Sequence, residues 1–265
     1  MPNILKRTIF GALFVAITCF AILFWDGALC GLYMLLCGFI MIYEFTKMFK
    51  MSAIDLLMVT VIGGEIISAT DLYYGYSWAF IPALALIFIY FIIYLFKKDT
   101  KQEEHLGKAF LTLIYIALPL GIASYISRND HLLIMATFLL IWISDTMAYL
   151  VGCKFGKHKI FVRISPKKSW EGAIGGFVFT VTASAFGGYL FPKLGFAVWQ
   201  WCVIGATVGI FAILGDFIES MFKRSADVKD SGNLIPGHGG LLDRLDSFIF
   251  TIPWIAIAVW IMRMF

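Results

Sequence analysis

Apolar residues come in blocks of roughly twenty along this chain, divided by short polar connectors, and this alternation sets the first expectation. Nine blocks are long enough to cross a bilayer as helices: residues 8–25, 28–46, 53–71, 78–96, 109–127, 132–151, 171–191, 196–217 and 247–264. The third is the least uniform, since Asp55 and Glu65 interrupt it. The eighth is expected to continue as helix beyond its apolar part, toward Phe222. The first follows Lys6 and Arg7 in the manner of a signal peptide. No small-residue cleavage motif followed by a soluble domain comes after it, so it reads as a span. The pattern predicts an all-α polytopic membrane protein of about nine transmembrane helices.

Composition narrows the class. Of 265 residues, 61% are hydrophobic and only 14% are charged, which excludes an ordinary soluble domain whose surface must be largely polar. The net charge of +4 matters less than its distribution. With the N-terminus placed in the cytoplasm, 18 of the 21 lysines and arginines fall on the inner side, Lys98 among them. Only Arg128, Lys193 and Arg263 fall outside. Removing one span would reverse the sign downstream, so the bias supports an odd count and an external C-terminus. Residues 1–108 are expected to form the N-terminal transmembrane helices and 109–265 a C-terminal transmembrane region, both within a single integral membrane unit. The five cysteines show no paired spacing, and Cys153 is the one expected in a polar loop. No repeat covers the chain, and residues 97–108 read as a solvated linker.

Two polar segments depart from ordinary connectors: residues 145–176 and 216–246. In the second, Asp216, Glu219, Ser220 and Lys223 recur at helical spacing and share a face. Asp216 ends an apolar run, where an ionisable group needs a partner or an ion. Asp243 and Asp246 are three apart and share a face if the last helix starts early. Carboxylates from two helices meeting near a phosphate can hold Mg2+; a structural Asp–Arg pair with Arg244 is the alternative. Gly237, Gly239 and Gly240 would let backbone N–H groups approach an anion, and His238 between them could donate to a phosphate or simply occupy a turn. Lys223, Arg224 and Lys229 serve phosphate binding, topology, or both. In the first segment, Lys167 and Lys168 precede Ser169, which reads as the cap of a helix N-terminus suited to an anion. Asp145, inside the sixth span, is a candidate ion ligand or a hydrogen-bonding partner across helices.

The run from Ser220 to Asp246, S-x-F-K-R-x4-K-D-x-G-x2-I-P-G-H-G-G-L-x-D-R-L-D, resembles the signature of the CDP-diacylglycerol synthases, or phosphatidate cytidylyltransferases. The stretches Asp145–Lys157 and Ile164–Gly172 are also similar to that family, whereas the N-terminal half resembles it in hydropathy alone. The resemblance implies that CTP and phosphatidate give CDP-diacylglycerol and pyrophosphate, with Mg2+ required and K+ left open as a second ion. It also implies a nine-helix membrane fold, a homodimer and a polar cavity facing the cytoplasm; the short compact form points to a bacterial inner membrane, and no nucleic acid partner is expected. Its metal centre would fall on Asp216 and Asp243, with Asp246 and Asp145 as further candidates. Lys167, Lys168, Lys223 and Arg224 would neutralise the triphosphate or the lipid headgroup. Ser169, Lys229, Arg244 and the 237–240 turn complete the expected substrate contacts. A CTP-dependent polyprenol or lipid kinase is the alternative enzyme, and an ion-coupled transporter a more distant one.

Overall fold

The computed structural model describes residues 3–24, 29–72, 81–97, 101–235, 237 and 239–264. Among them every regular element is a helix, and the two isolated bridges, Lys159–Ser169 and Ile235–Gly239, only close loops. The order is α1 (Asn3–Leu23), α2 (Cys30–Met48), α3 (Ala53–Leu72), α4 (Ile81–Phe96), α5 (Gln102–Thr112), a π-helical turn (Leu113–Ala117), α6 (Leu118–Phe155), α7 (Trp170–Ala185), α8 (Gly187–Leu190), a 3-10 turn (Pro192–Leu194), α9 (Val198–Ser225) and α10 (Leu242–Met262). Four described stretches are long and apolar enough to cross a membrane: α2, the run Gln102–Phe155, α9 and α10. Residues Thr8–Leu23 and Ile81–Phe96 form shorter apolar helices.

Four elements depart from the sequence reading; one is the 97–108 linker, most of which lies in helix α5 from Gln102. The fifth and sixth blocks form one helical run, broken where Asp130 leaves helical geometry (φ −140°, ψ 55°). The seventh block stops early: α7 ends at Ala185, and a short helix and a 3-10 turn follow before Gly195 turns left-handed (φ 66°). Gly187, Gly188 and Pro192 in this stretch are poor helix continuers. Cys153 lies on α6, exposed, since the helix runs to Phe155 before the polar loop begins. The eighth block does continue beyond Phe222, and α10 starts early enough to hold both Asp243 and Asp246.

The chain divides into two compact units. The first comprises Met1–Asn129 with Asp230–Asp243. In it α2 packs against α1, α3 and the π turn, and α3 against α4 and α5. Met34, Met41, Ile42 and Phe45 of α2 and Ile62 of α3 are fully enclosed. The acid that weakens the third block is accommodated in the same core. Asp55 is wholly buried, and its carboxylate accepts from the hydroxyls of Tyr90 (2.7 Å) and Tyr94 and from the backbone N–H of Ser52 (3.0 Å). His105 Nδ1 lies 2.8 Å from it. Donors on every side are what permit a carboxylate inside an apolar core.

The second unit comprises Asp130–Lys229 with Arg244–Phe265. Here α7 lies along α9, and Phe138 of α6 stacks on Phe248 of α10 (centroids 4.1 Å apart). Helices α9 and α10 touch backbone to backbone at Gly215: a Cβ there would stand 2.8 Å from the Phe250 Cβ and 2.9 Å from the Asp246 carbonyl oxygen. Close approach over a small residue is how apolar helices gain contact where no hydrophobic force separates them from lipid. The guanidinium of Arg263, just past α10, pairs with Asp130 at the break in α6.

Candidate functional site

The glycine contact places Asp216, the next residue on α9, beside the first turns of α10. Asp216, Glu219 and Asp246 each present a carboxylate oxygen, and all three atoms lie within 4.8 Å of one another. Glu219 and Asp246 are buried and Asp216 is half-buried. Three carboxylates this close in a poorly solvated place repel strongly unless cations intervene. Two lysines do so: the Lys168 ammonium meets Asp216, and the Lys223 ammonium meets Glu219 one helical turn away. The expected face of α9 is therefore real, with Ser220 Oγ donating to Asp216 at 3.3 Å. Lys168 is also seated 4.5 Å over the Phe217 ring, whose edge or face meets Phe161 in a T-shaped contact. Asp145 lies on α6, within electrostatic reach of Asp216, Lys168 and Arg244.

Lys168 owes its place to a loop that the chain closes on itself. Trp170 N–H donates to His158 O at 2.9 Å, and Ile160 N–H to Lys168 O at 3.3 Å. The Glu171 carboxylate accepts from the N–H groups of Lys157 (3.0 Å) and His158 (3.2 Å). Ser169 caps α7, as its position predicts, by accepting from Gly172 N–H at 3.2 Å. It is buried, and its oxygen is committed to the cap. Lys167, Lys229 and Arg244 are exposed, and Arg224 donates to Val228 O (3.0 Å) at the end of α9.

Asp243 has a different setting. It belongs to the first unit with residues 230–242, and its Oδ2 accepts from Gly240 N–H (2.8 Å), Ser231 N–H (2.9 Å) and Ser231 Oγ (3.0 Å). The glycine-rich turn thus spends the Gly240 N–H on a carboxylate of its own chain. Gly239 is required there: its φ is 82°, and a Cβ would stand 2.5 Å from Asp243 Oδ2. Gly237 also has positive φ (79°) and is exposed. His238 lies outside the described residues, as does Lys98.

Two acids carry more of the structure than the sequence reading assigned to them. Glu219 stands on the shared face of α9 without an assigned ion role, although its spacing from Asp216 is the signal. Glu44 lies inside an apolar block, and a carboxylate within a span is itself a signal.

Comparison with known proteins places the chain in a family. A profile described as "Cytidylyltransferase family" matches residues 5–262. A protein of Staphylococcus haemolyticus (strain JCSC1435) named phosphatidate cytidylyltransferase is 43% identical over 130 residues, covering 49% of this chain and 50% of its own. One of the same name from Staphylococcus aureus (strain COL) is 44% identical over 132 residues, covering 49% and 50%. The chain thus spans about half the length of the curated relatives it matches. With the profile running over nearly its whole length, the chain belongs to the cytidylyltransferase family.

Proposed function

We propose that this protein joins CTP to phosphatidate, giving CDP-diacylglycerol and pyrophosphate. The observation that carries the reading is the acid cluster Asp216, Glu219 and Asp246 with lysines at its edge, in a chain of this family. An oxygen of the lipid phosphate attacks the α-phosphorus of CTP, a new P–O bond forms, and the bond to the pyrophosphate oxygen breaks. Phosphatidate is already ionised at neutral pH, so no strong base is needed. The main obstacle is repulsion between two anions, and fixed cations together with positioning lower it. Lys168 and Lys223, together with Lys167, Arg224, Lys229 and Arg244, would neutralise the triphosphate and the lipid headgroup.

The donor set fits a hard divalent cation: all oxygens, two of the three groups buried, and anionic in excess. Asp216, Glu219 and Asp246 would hold Mg2+, with Asp145 nearby; such an ion polarises phosphoryl oxygens and offsets charge that develops on them. K+ is a proposed companion. Asp243, oriented by three donors, would act from the start of α10.

The remaining features of the reading are nine spans, an internal N-terminus, an external C-terminus, a homodimer, and a cytoplasm-facing site in a bacterial inner membrane. The lysine and arginine bias and the bacterial relatives support it. The test is purified protein with CTP, phosphatidate and Mg2+, scoring lipid product and pyrophosphate together. CDP-lipid with equal pyrophosphate is expected; a phosphorylated lipid with CDP would identify a kinase instead.

A further inference from the structure

Glu44 is a carboxylate on α2, in the half of the chain where the family signature is absent, yet it is built into the signature loop. It is 5% exposed. Its Oε1 accepts from Leu241 N–H at 3.0 Å, and its Oε2 from Leu242 N–H at 2.9 Å, with Ser231 Oγ 3.3 Å from Oε2. Leu241 and Leu242 stand at the start of α10, where N–H groups have no partner within their own helix. Glu44 therefore caps α10 from another helix, with a negative charge at the positive end of the helix dipole.

The loop is also shaped around this group. A Cβ on Gly232 would stand 2.7 Å from Glu44 Oε1, and one on Gly240 would stand 2.5 Å from Glu44 Oε2. Two glycines of the loop thus leave room for a carboxylate that arrives from α2. Ser231 ties Glu44 to Asp243, since its Oγ stands within hydrogen-bonding distance of both acids. A hydroxyl has one proton to donate, so the backbone N–H groups must carry the rest of the load.

We propose that Glu44 is a positioning residue for the transfer reaction: it moulds the 230–241 loop, fixes the start of α10 and so sets where Asp243 points. The inference rests on the cytidylyltransferase reading above. Glu44→Gln keeps the size of the side chain but replaces one acceptor oxygen with an NH2 group, which meets an N–H donor head on. The experiment uses the full chain in lipid nanodiscs. It measures kcat and KM for CTP, the melting temperature, and amide exchange at Leu241 and Leu242 for wild type, Glu44→Gln and Glu44→Asp.

Glu44→Gln is expected to lower kcat by about thirtyfold, the scale of a lost charge-assisted hydrogen bond, with KM within about threefold. Exchange at Leu241 and Leu242 should quicken while α7 and α9 stay protected. Glu44→Asp, which keeps the charge but falls short of one donor, should lie between. Wild-type kcat in Glu44→Gln, or a loss matched by the unfolded fraction alone, would overturn the inference. Should wild type itself turn over no CTP, the proposed function fails. The exchange readout then decides on the capping alone: unchanged protection at Leu241 and Leu242 refutes it, and lost protection supports it.

Discussion

Two sets of acids, one in each unit, are held in opposite ways. In the first unit, Glu44, Asp55 and Asp243 accept from groups that cannot leave: backbone N–H of Ser52, Ser231, Gly240, Leu241 and Leu242, and the hydroxyls of buried tyrosines. In the second, Asp216, Glu219 and Asp246 crowd within 4.8 Å, and their positive partners are the ends of two long, rotatable lysines. Fixed neutral donors hold a carboxylate in one direction. Lysine ammonium groups neutralise a carboxylate but can swing aside for another cation or for a phosphate. The contrast separates acids fixed in direction from acids open to a new partner more sharply than burial does, since both sets include buried members.

The hardest test of this contrast is a pair of substitutions, one in each unit. Asp246→Asn is expected to cut turnover by about a thousandfold, the scale of losing a group that organises charge in the transition state. Asp243→Asn is expected to abolish turnover too, while the protein still inserts and folds. Radiolabelled CTP incorporation into lipid reads both. Activity near wild type in Asp243→Asn would leave that residue as a loop fastener only. Next in size, Lys168→Ala should lower kcat/KM for CTP by about tenfold to a hundredfold, since the ammonium would shield triphosphate charge in a poorly solvated place. An unchanged kcat/KM would assign Lys168 to folding alone. Smaller again, Asp55→Asn should cost about 1–3 kcal/mol of stability by breaking buried hydrogen bonds, with turnover per folded molecule unchanged. A melting curve and an active-fraction assay separate the two quantities, and a fall in turnover per folded molecule would blur the comparison between units. Lys50→Ala, at an exposed position past α2, should leave turnover within about twofold, as surface changes usually do.

Much of this was legible in the sequence. Apolar blocks predict helices because a bilayer admits few alternatives, and the helical spacing of Asp216, Glu219, Ser220 and Lys223 predicts contacts that are present. Ser169 as the cap of α7 follows from its side chain alone. What was not legible involves residues far apart in the chain. Nothing near Glu44 in sequence announces that its acceptors serve Leu241 and Leu242. Gly215 reads as one more small residue in an apolar run until its contact with α10 is known. The helical run that joins the fifth and sixth blocks was obscure for another reason. Arg128, Asn129, Asp130 and His131 look like a connector, and only Asp130 leaves helical geometry.

The ion pair of Arg263 with Asp130 gives α10 a second anchor, at the end remote from the acids. From Asp246 to Arg263 the helical rise amounts to about 25 Å. The hydrocarbon layer of a typical bilayer is about 30 Å thick. One helix therefore carries polar fasteners at both ends of a nearly membrane-sized interval, and on the proposed membrane reading that interval would act as a gauge of bilayer thickness. Turnover measured across lipids of graded acyl length is expected to peak where the two lengths agree, and a flat profile would show that the gauge is not read. A bilayer that drifted from that thickness, through growth temperature or lipid composition, would pull on the same helix whose first turns carry Asp243 and Asp246, so strain in the sheet would reach the acids.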